Sequence, residues 1–155
     1  MQFSSKEDID APAAEVFAML CEFEGFERSA IRRGIEVERL QDSNCPVVGM
    51  AWRALFVLRG KPRDAQITLE TYDPPNALRF ATVSQGLDGF LELELVPLSP
   101  RRTRMAVVLN LKPRTLPGRL LIQSLKLAKA NLTKRFKLKV ADYAKGLEDR
   151  HRRLA

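Results

Sequence analysis

Glu7, Lys129 and Lys139 are the ionisable side chains that the sequence pattern places on otherwise apolar faces. Glu7 shares one face of an alternating strand with Phe3 and Ile9. On a helical wheel at ~100° per residue, Lys139 aligns with Leu121 and Lys129 lies roughly 80° from it. A carboxylate or amine inside an apolar cavity is either paired or shifted in pKa towards neutrality. A Glu7–lysine pair would therefore hold a ligand's polar head or perform acid–base chemistry. The competing reading keeps Glu7 at the strand rim and lets both lysines snorkel to water along their stems. Other chemistry finds little support. The single histidine, His151, lies in a charged tail, which argues against a histidine general base. Cys21 and Cys45 are too few for a metal site, with no histidine beside them, so neither metal nor cofactor is expected. The chain has no glycine-rich phosphate loop and no serine elbow.

The elements that must position these residues are legible in order. Phe3–Ile9 alternates as a strand. Two short helices are expected at about Pro12–Leu20 and Glu22–Arg32, with Pro12 in a first turn where its missing N–H costs nothing. Further strands are expected over Ile35–Leu40, Gly49–Arg59, Arg63–Tyr72, Leu78–Val83, Phe90–Val96 and Thr103–Leu111. The intervening turns are Ser43-Asn44-Cys45-Pro46, Gly60-Lys61-Pro62, Asp73-Pro74-Pro75-Asn76, Gly86-Leu87-Asp88-Gly89 and Pro97-Leu98-Ser99-Pro100. Short turns between successive strands mean an antiparallel meander. From about Leu116 to Leu147 or beyond, Leu121, Leu125, Ala128, Leu132, Phe136, Tyr143 and Leu147 mark one face of a long helix. That face needs a broad apolar partner. The inner sheet face supplies it through Trp52, Phe56, Leu69, Phe80, Leu91, Leu93, Leu95, Met105, Val107 and Leu109, with Arg53, Glu70, Arg79, Glu92, Glu94 and Arg104 opposite.

The 155 residues are 45% hydrophobic, which suits one domain spanning 1–155 with a real core; only about 148–155, a charged tail, is expected to fray. Apolar runs are too short to span a bilayer, and no signal-peptide pattern opens the chain, so a cytoplasmic protein is expected. An intrachain disulfide is not. The net charge of +7 and pI near 9.8 invite a nucleic-acid reading. Phe136 is, however, the one aromatic among the helical lysines and falls on the buried stripe, so stacking platforms for bases are missing. A solvated basic helix face is the simpler account. Leu116, Leu120, Leu127 and Leu138 form a second apolar row, suited to an anionic membrane surface, a protein partner or the space beneath the short helices.

Strand, two short helices, six strands and a long helix form an order that resembles the SRPBCC superfamily of START-like and birch-pollen-allergen-like proteins, including polyketide cyclase/dehydrase-like members. Ile9-Asp10-Ala11-Pro12-Ala13-Ala14-Glu15-Val16-Phe17 is similar to that family's first strand-to-helix junction, and Asp73-Pro74-Pro75-Asn76-Ala77-Leu78-Arg79-Phe80 to its strand–turn–strand element. The resemblance covers the whole chain. It implies an α+β helix-grip fold, in which a curved antiparallel sheet of about seven strands wraps around the C-terminal helix and leaves an apolar cavity. It also implies a small hydrophobic ligand, such as a lipid, quinone or polyketide, against Trp52, Phe56, Leu69, Phe80, Leu93, Met105, Val107, Leu125, Leu132 and Phe136. A non-catalytic binding module is the leading expectation. Alternatives are a cyclase/dehydrase-like enzyme using Glu7 or an inward lysine, and a lipid- or quinone-handling protein working at a membrane through its basic helix.

Overall fold

The computed structural model describes residues 1–40 and 46–154; Cys45 and the turn read at Ser43-Asn44-Cys45 lie outside them. Alternating apolar and polar residues build seven strands: β1 (Gln2–Ile9), β2 (Glu36–Arg39), β3 (Ala51–Leu58), β4 (Lys61–Asp73), β5 (Ala77–Ser84), β6 (Leu87–Ser99) and β7 (Arg102–Pro113). They form one antiparallel sheet in the order β1-β7-β6-β5-β4-β3-β2, so only the β1–β7 pairing departs from a simple meander. The register puts every inner-face residue expected from sequence on one side. One transverse row runs Phe3, Leu109, Leu91, Phe80 and Leu69; the next runs Ser5, Val107, Leu93, Leu78 and Tyr72. The outer face carries cross-strand ion pairs, Arg53–Asp64 at 2.6 Å, Arg79–Glu92 at 2.9 Å and Arg104–Asp8 at 2.9 Å. A bulge between Leu69 and Thr71, and a second irregularity between Pro97 and Ser99, interrupt the regular ladder.

Several turns fall one or two residues from their expected places. The β3–β4 hairpin turns at Arg59 (φ 56°) and Gly60 (φ 75°), so Lys61 and Pro62 open β4 rather than belonging to the turn. Leu87, Asp88 and Gly89 are strand, and the turn before them is carried by Gly86 (φ 77°). Gly89 is required for close approach instead: a Cβ there would collide with the carbonyl of Asn110. Pro97 to Ser99 likewise extend β6, as far as the turn at Pro100 and Arg101.

The helices flank this sheet. α1 (Ala13–Leu20) and α2 (Phe23–Arg32) lie between β1 and β2, as expected. The long C-terminal helix is not continuous. It divides into α3 (Leu116–Leu127) and α4 (Lys129–Leu154) at Ala128, whose φ of −106° and ψ of 17° leave the helical basin. α3 starts at Thr115, whose hydroxyl accepts the Gly118 N–H at 3.2 Å, with Pro117 in the first turn. Gly118 packs directly on Gly86, leaving no room for a Cβ. α4 packs chiefly over β1 and buries Val140, Ala144 and Leu147. Residues 148–154, expected to fray, continue α4. Arg150 pairs with Glu22, and His151 Nδ1 lies 2.6 Å from Glu15 Oε2.

Burial divides into two cores. The larger joins α1, α2 and α4 to the sheet through Val16, Phe17, Phe23, Trp52, Leu69, Phe80 and Met105. Phe23 meets Trp52 and Phe80 edge-on, with ring centroids 5.2 and 6.0 Å apart. The smaller packs Leu121, Ile122 and Leu125 of α3 against Met1, Leu58, Leu87, Leu111 and Leu132. At the β1–α1 junction Thr103 is wholly buried, and its hydroxyl donates to the Ala11 carbonyl at 2.8 Å. Thr103→Val keeps the shape and deletes that donor. It is expected to destabilise the fold by about 1–3 kcal/mol, read as a lower urea midpoint with an unchanged slope.

Candidate functional site

The two cores leave the middle of the inner face between them. α4 packs chiefly over β1, and its Val140, Ala144 and Leu147 join the larger core. The register puts Phe56, Ile67, Thr82, Leu91 and Leu109 on the inner face, and all of them retain partial solvent access. Leu132 and Phe136 of α4 are likewise half-buried, and the Phe136 ring lies 5.8 Å from that of Phe3. These half-buried residues form an apolar, groove-like stretch of the inner face beside α4; Ile67, Leu91 and Phe136 pack against the larger core and Leu132 against the smaller. One end is closed by the aromatic core under α1 and α2, the other by the α3 core.

The residues expected to line a ligand site separate accordingly. Trp52, Leu69, Phe80, Leu93, Met105, Val107 and Leu125 are buried in the two cores. Phe56, Leu132 and Phe136 remain half-exposed at the groove. Glu7 stands on the inner face opposite Met105, half-buried, and among the described residues no hydrogen bond or ion pair reaches its carboxylate. The two lysines do not join it. Lys129 and Lys139 are both exposed. On α4 the buried residues are Val140, Ala144 and Leu147; Lys139, one residue before Val140, lies about 100° away on the flank, and Lys129, the first residue of the helix, is exposed at its end. The apolar row Leu116, Leu120, Leu127 and Leu138 is also exposed rather than tucked under α1 and α2.

Arg63 was not singled out from sequence. It lies across from Phe56 on the inner face, half-buried, and its Nε is buried without a hydrogen-bond partner. Counting back by twos from Leu69 through Ile67 and Ala65 would have found it. A cation with spare donors at the margin of an apolar groove suits a carboxylate, sulfonate or phosphate. Among the described residues, no group of three or more His, Cys, Asp or Glu is placed to hold a metal ion.

Two depressions lie away from the groove. One, of about 450 Å³, is on the outer face beside Asp64, Gln66, Thr68, Val83 and Arg114. The other, of about 530 Å³, lies between α1 and the Pro74–Pro75 turn, against Phe17, Cys21 and Tyr72. Burial pushes the Cys21 thiol up to about 11, and it pushes the Tyr143 hydroxyl upward too. No helix among the described residues is long and apolar enough to cross a membrane.

No protein-family model matches the chain, and no curated protein matches it by sequence. Solved structures do. The Zhui aromatase/cyclase from a Streptomyces species shares 16% identity over 100% of this chain and 96% of its own, with a TM-score of 0.66. Norcoclaurine synthase from Thalictrum flavum, a point mutant in complex with a transition-state analogue, shares 11% identity over 98% and 96%, with a TM-score of 0.69. A START superfamily protein from Mycobacterium smegmatis shares 15% over 86% and 95%, with a TM-score of 0.56. The chain thus has the helix-grip fold of the SRPBCC proteins, START-like and birch-pollen-allergen-like.

The Cys21 environment has a direct readout. Its ordinary thiol value is 9.0 and its folded value about 11, which leaves roughly a hundredfold less thiolate at a given pH. In a Cys45→Ser background, iodoacetamide at mildly alkaline pH is expected to label Cys21 about a hundredfold more slowly in the folded chain than in urea.

Proposed function

We propose that the chain binds a small hydrophobic molecule in the groove between the inner sheet face and α4, as a non-catalytic binding or carrier module. One observation carries this reading: apolar inner-face side chains in the middle of the sheet keep solvent access between two closed cores. A fully packed interior would have buried them. Burying the apolar surface of Ile67, Leu91, Leu109, Leu132 and Phe136 against a ligand supplies the driving force, at about 25 cal/mol per Å² removed from water. Arg63, with its unpartnered Nε, selects ligands with an anionic or carbonyl end. The fold neighbours support a ligand pocket as a class of site and leave the ligand's identity open.

Anilinonaphthalene sulfonate, an apolar ring system carrying one sulfonate, tests both parts. It is expected to bind the folded protein with enhanced fluorescence. Arg63→Met is expected to weaken binding about tenfold, as loss of one charge-assisted hydrogen bond requires, and Leu91→Gln to weaken it as well. No saturable binding to the folded protein would overturn the reading. Native mass spectrometry of protein purified from its own host would then give the mass of the natural occupant.

An enzymatic reading has one observation in its favour, the unpaired, half-buried Glu7 carboxylate on the inner face. Turnover of the extracted occupant that depends on pH and disappears in Glu7→Gln would establish it. Unchanged binding by that variant, with no turnover by the wild type, is the outcome expected of a carrier.

A further inference from the structure

The outer surface of α3 and the first half of α4 differs in charge from the rest of the molecule. From Leu95 to Ala141 the chain contains twelve Lys and Arg residues and no Asp or Glu. On the sheet, arginines are neutralised across strands: Arg53 by Asp64, Arg79 by Glu92 and Arg104 by Asp8. Along α3 and the first half of α4 they are not. Every Lys and Arg from Arg119 to Lys139, seven in all, is exposed, and none forms an ion pair among the described residues. Within this basic surface α3 exposes a row of leucines. Leu116 is 70% exposed, Leu120 59% and Leu127 92%. At ~100° per residue the three fall within roughly 40° of one another, and Arg119 and Lys126 run along one side at roughly 60–80°. The opposite side of α3 is already satisfied by its own core, so α3 is apolar on both faces. Leu138 is exposed too, but the break at Ala128 puts it on the next helix.

We propose that the Leu116–Leu120–Leu127 ridge of α3 docks on an anionic lipid surface, with the leucines entering the interface and Arg119, Lys126 and Lys129 meeting lipid headgroups. Exposed leucines argue for lipid rather than nucleic acid, which offers phosphates but no apolar phase to bury them. Charge argues against a second copy of this chain, since two acid-free faces repel. The surface deepens the ligand reading by giving a hydrophobic occupant a place to come from, yet it stands on separate residues.

Flotation with phosphatidylcholine vesicles, with and without about 30% phosphatidylserine, in about 100 and about 500 mM salt, tests it. The wild type is expected to float only with the anionic vesicles, and at least tenfold less at high salt. The double variant L120S/L127S is expected to lose about tenfold in vesicle binding with unchanged thermal midpoint and unchanged anilinonaphthalene sulfonate affinity. R119E/K126E is expected to do the same. Absence of binding to anionic vesicles at low salt overturns the proposal, as does binding untouched by L120S/L127S. So does a leucine-dependent dimer, or salt-sensitive binding to duplex DNA that L120S/L127S leaves intact while vesicles stay unbound. Loss of probe binding in the groove by Arg63→Met, with vesicle binding intact, would separate failure of one reading from failure of the other.

Discussion

The pairing of β1 with β7 is the constraint on which the rest of the structure depends. Eight residues at the start of the chain, Gln2–Ile9, bond in register to Asn110–Thr103, roughly a hundred positions later. Closing so long a loop costs conformational entropy, though the cost grows only logarithmically with length. The pairing sets up what surrounds it. It gives α4 the strand over which it packs, and it brings Thr103 beneath the β1–α1 junction, where its hydroxyl holds the Ala11 carbonyl. Without this pairing the sheet would be an ordinary meander, and the groove would lose the wall formed by β1 and α4.

The two ends of the groove are closed by different means. At the α1–α2 end, aromatic rings interlock: Phe23 against Trp52 and Phe80, and Phe17 against Tyr72 at 5.6 Å. Arg39 on the edge strand bonds Glu27 of α2 at 3.1 Å, and the end of α4 is tied to the same region through Arg150 and His151. At the other end, three aliphatic side chains of a twelve-residue helix cover the sheet, held at its start by the Thr115 cap and the Gly86–Gly118 contact. The first end is tied by rings and ion pairs from three helices. The second rests on a helix joined to its successor through a single non-helical residue.

Much of this was legible in the sequence, for identifiable reasons. Strand faces followed from strict alternation, so inner and outer residues from Trp52 to Leu109 fell on their expected sides. Pro12 and Pro117 marked helix starts because proline is at home only in a first turn. The break at Ala128 was not legible. Lys126-Leu127-Ala128-Lys129-Ala130 contains only good helix formers, and the stop comes from tertiary geometry, not from a local signal. A wheel also shows angle and not position along the helix: Lys129 shares the angle of buried Leu147 yet is exposed at the first residue of α4. Gly89 misled for the opposite reason: glycine serves close approach as well as turns, and sequence does not distinguish the two uses. The site was legible as a surface and not as a space, because a core and a groove are lined by the same residue types and differ in how tightly the elements above them pack. Arg63 went unnoticed at the strand's beginning, where a charge is ordinarily assigned to solvent.

The surplus residue at the Leu69/Thr71 irregularity has a geometric meaning for the whole molecule. It puts two successive side chains, Glu70 and Thr71, on the outer face, lengthening the convex side of β4 relative to the concave side. The irregularity between Pro97 and Ser99 similarly interrupts β6 near its end. Arc length thus differs between the two surfaces of the sheet near the α1–α2 end, where Tyr72 and Phe80 curl toward Phe17 and Phe23. The β3–β4 hairpin, which carries Phe56 and Arg63, pairs without interruption. The surplus residue thus falls where β4 leads into Tyr72 beside the aromatic core, and not where β4 pairs with β3.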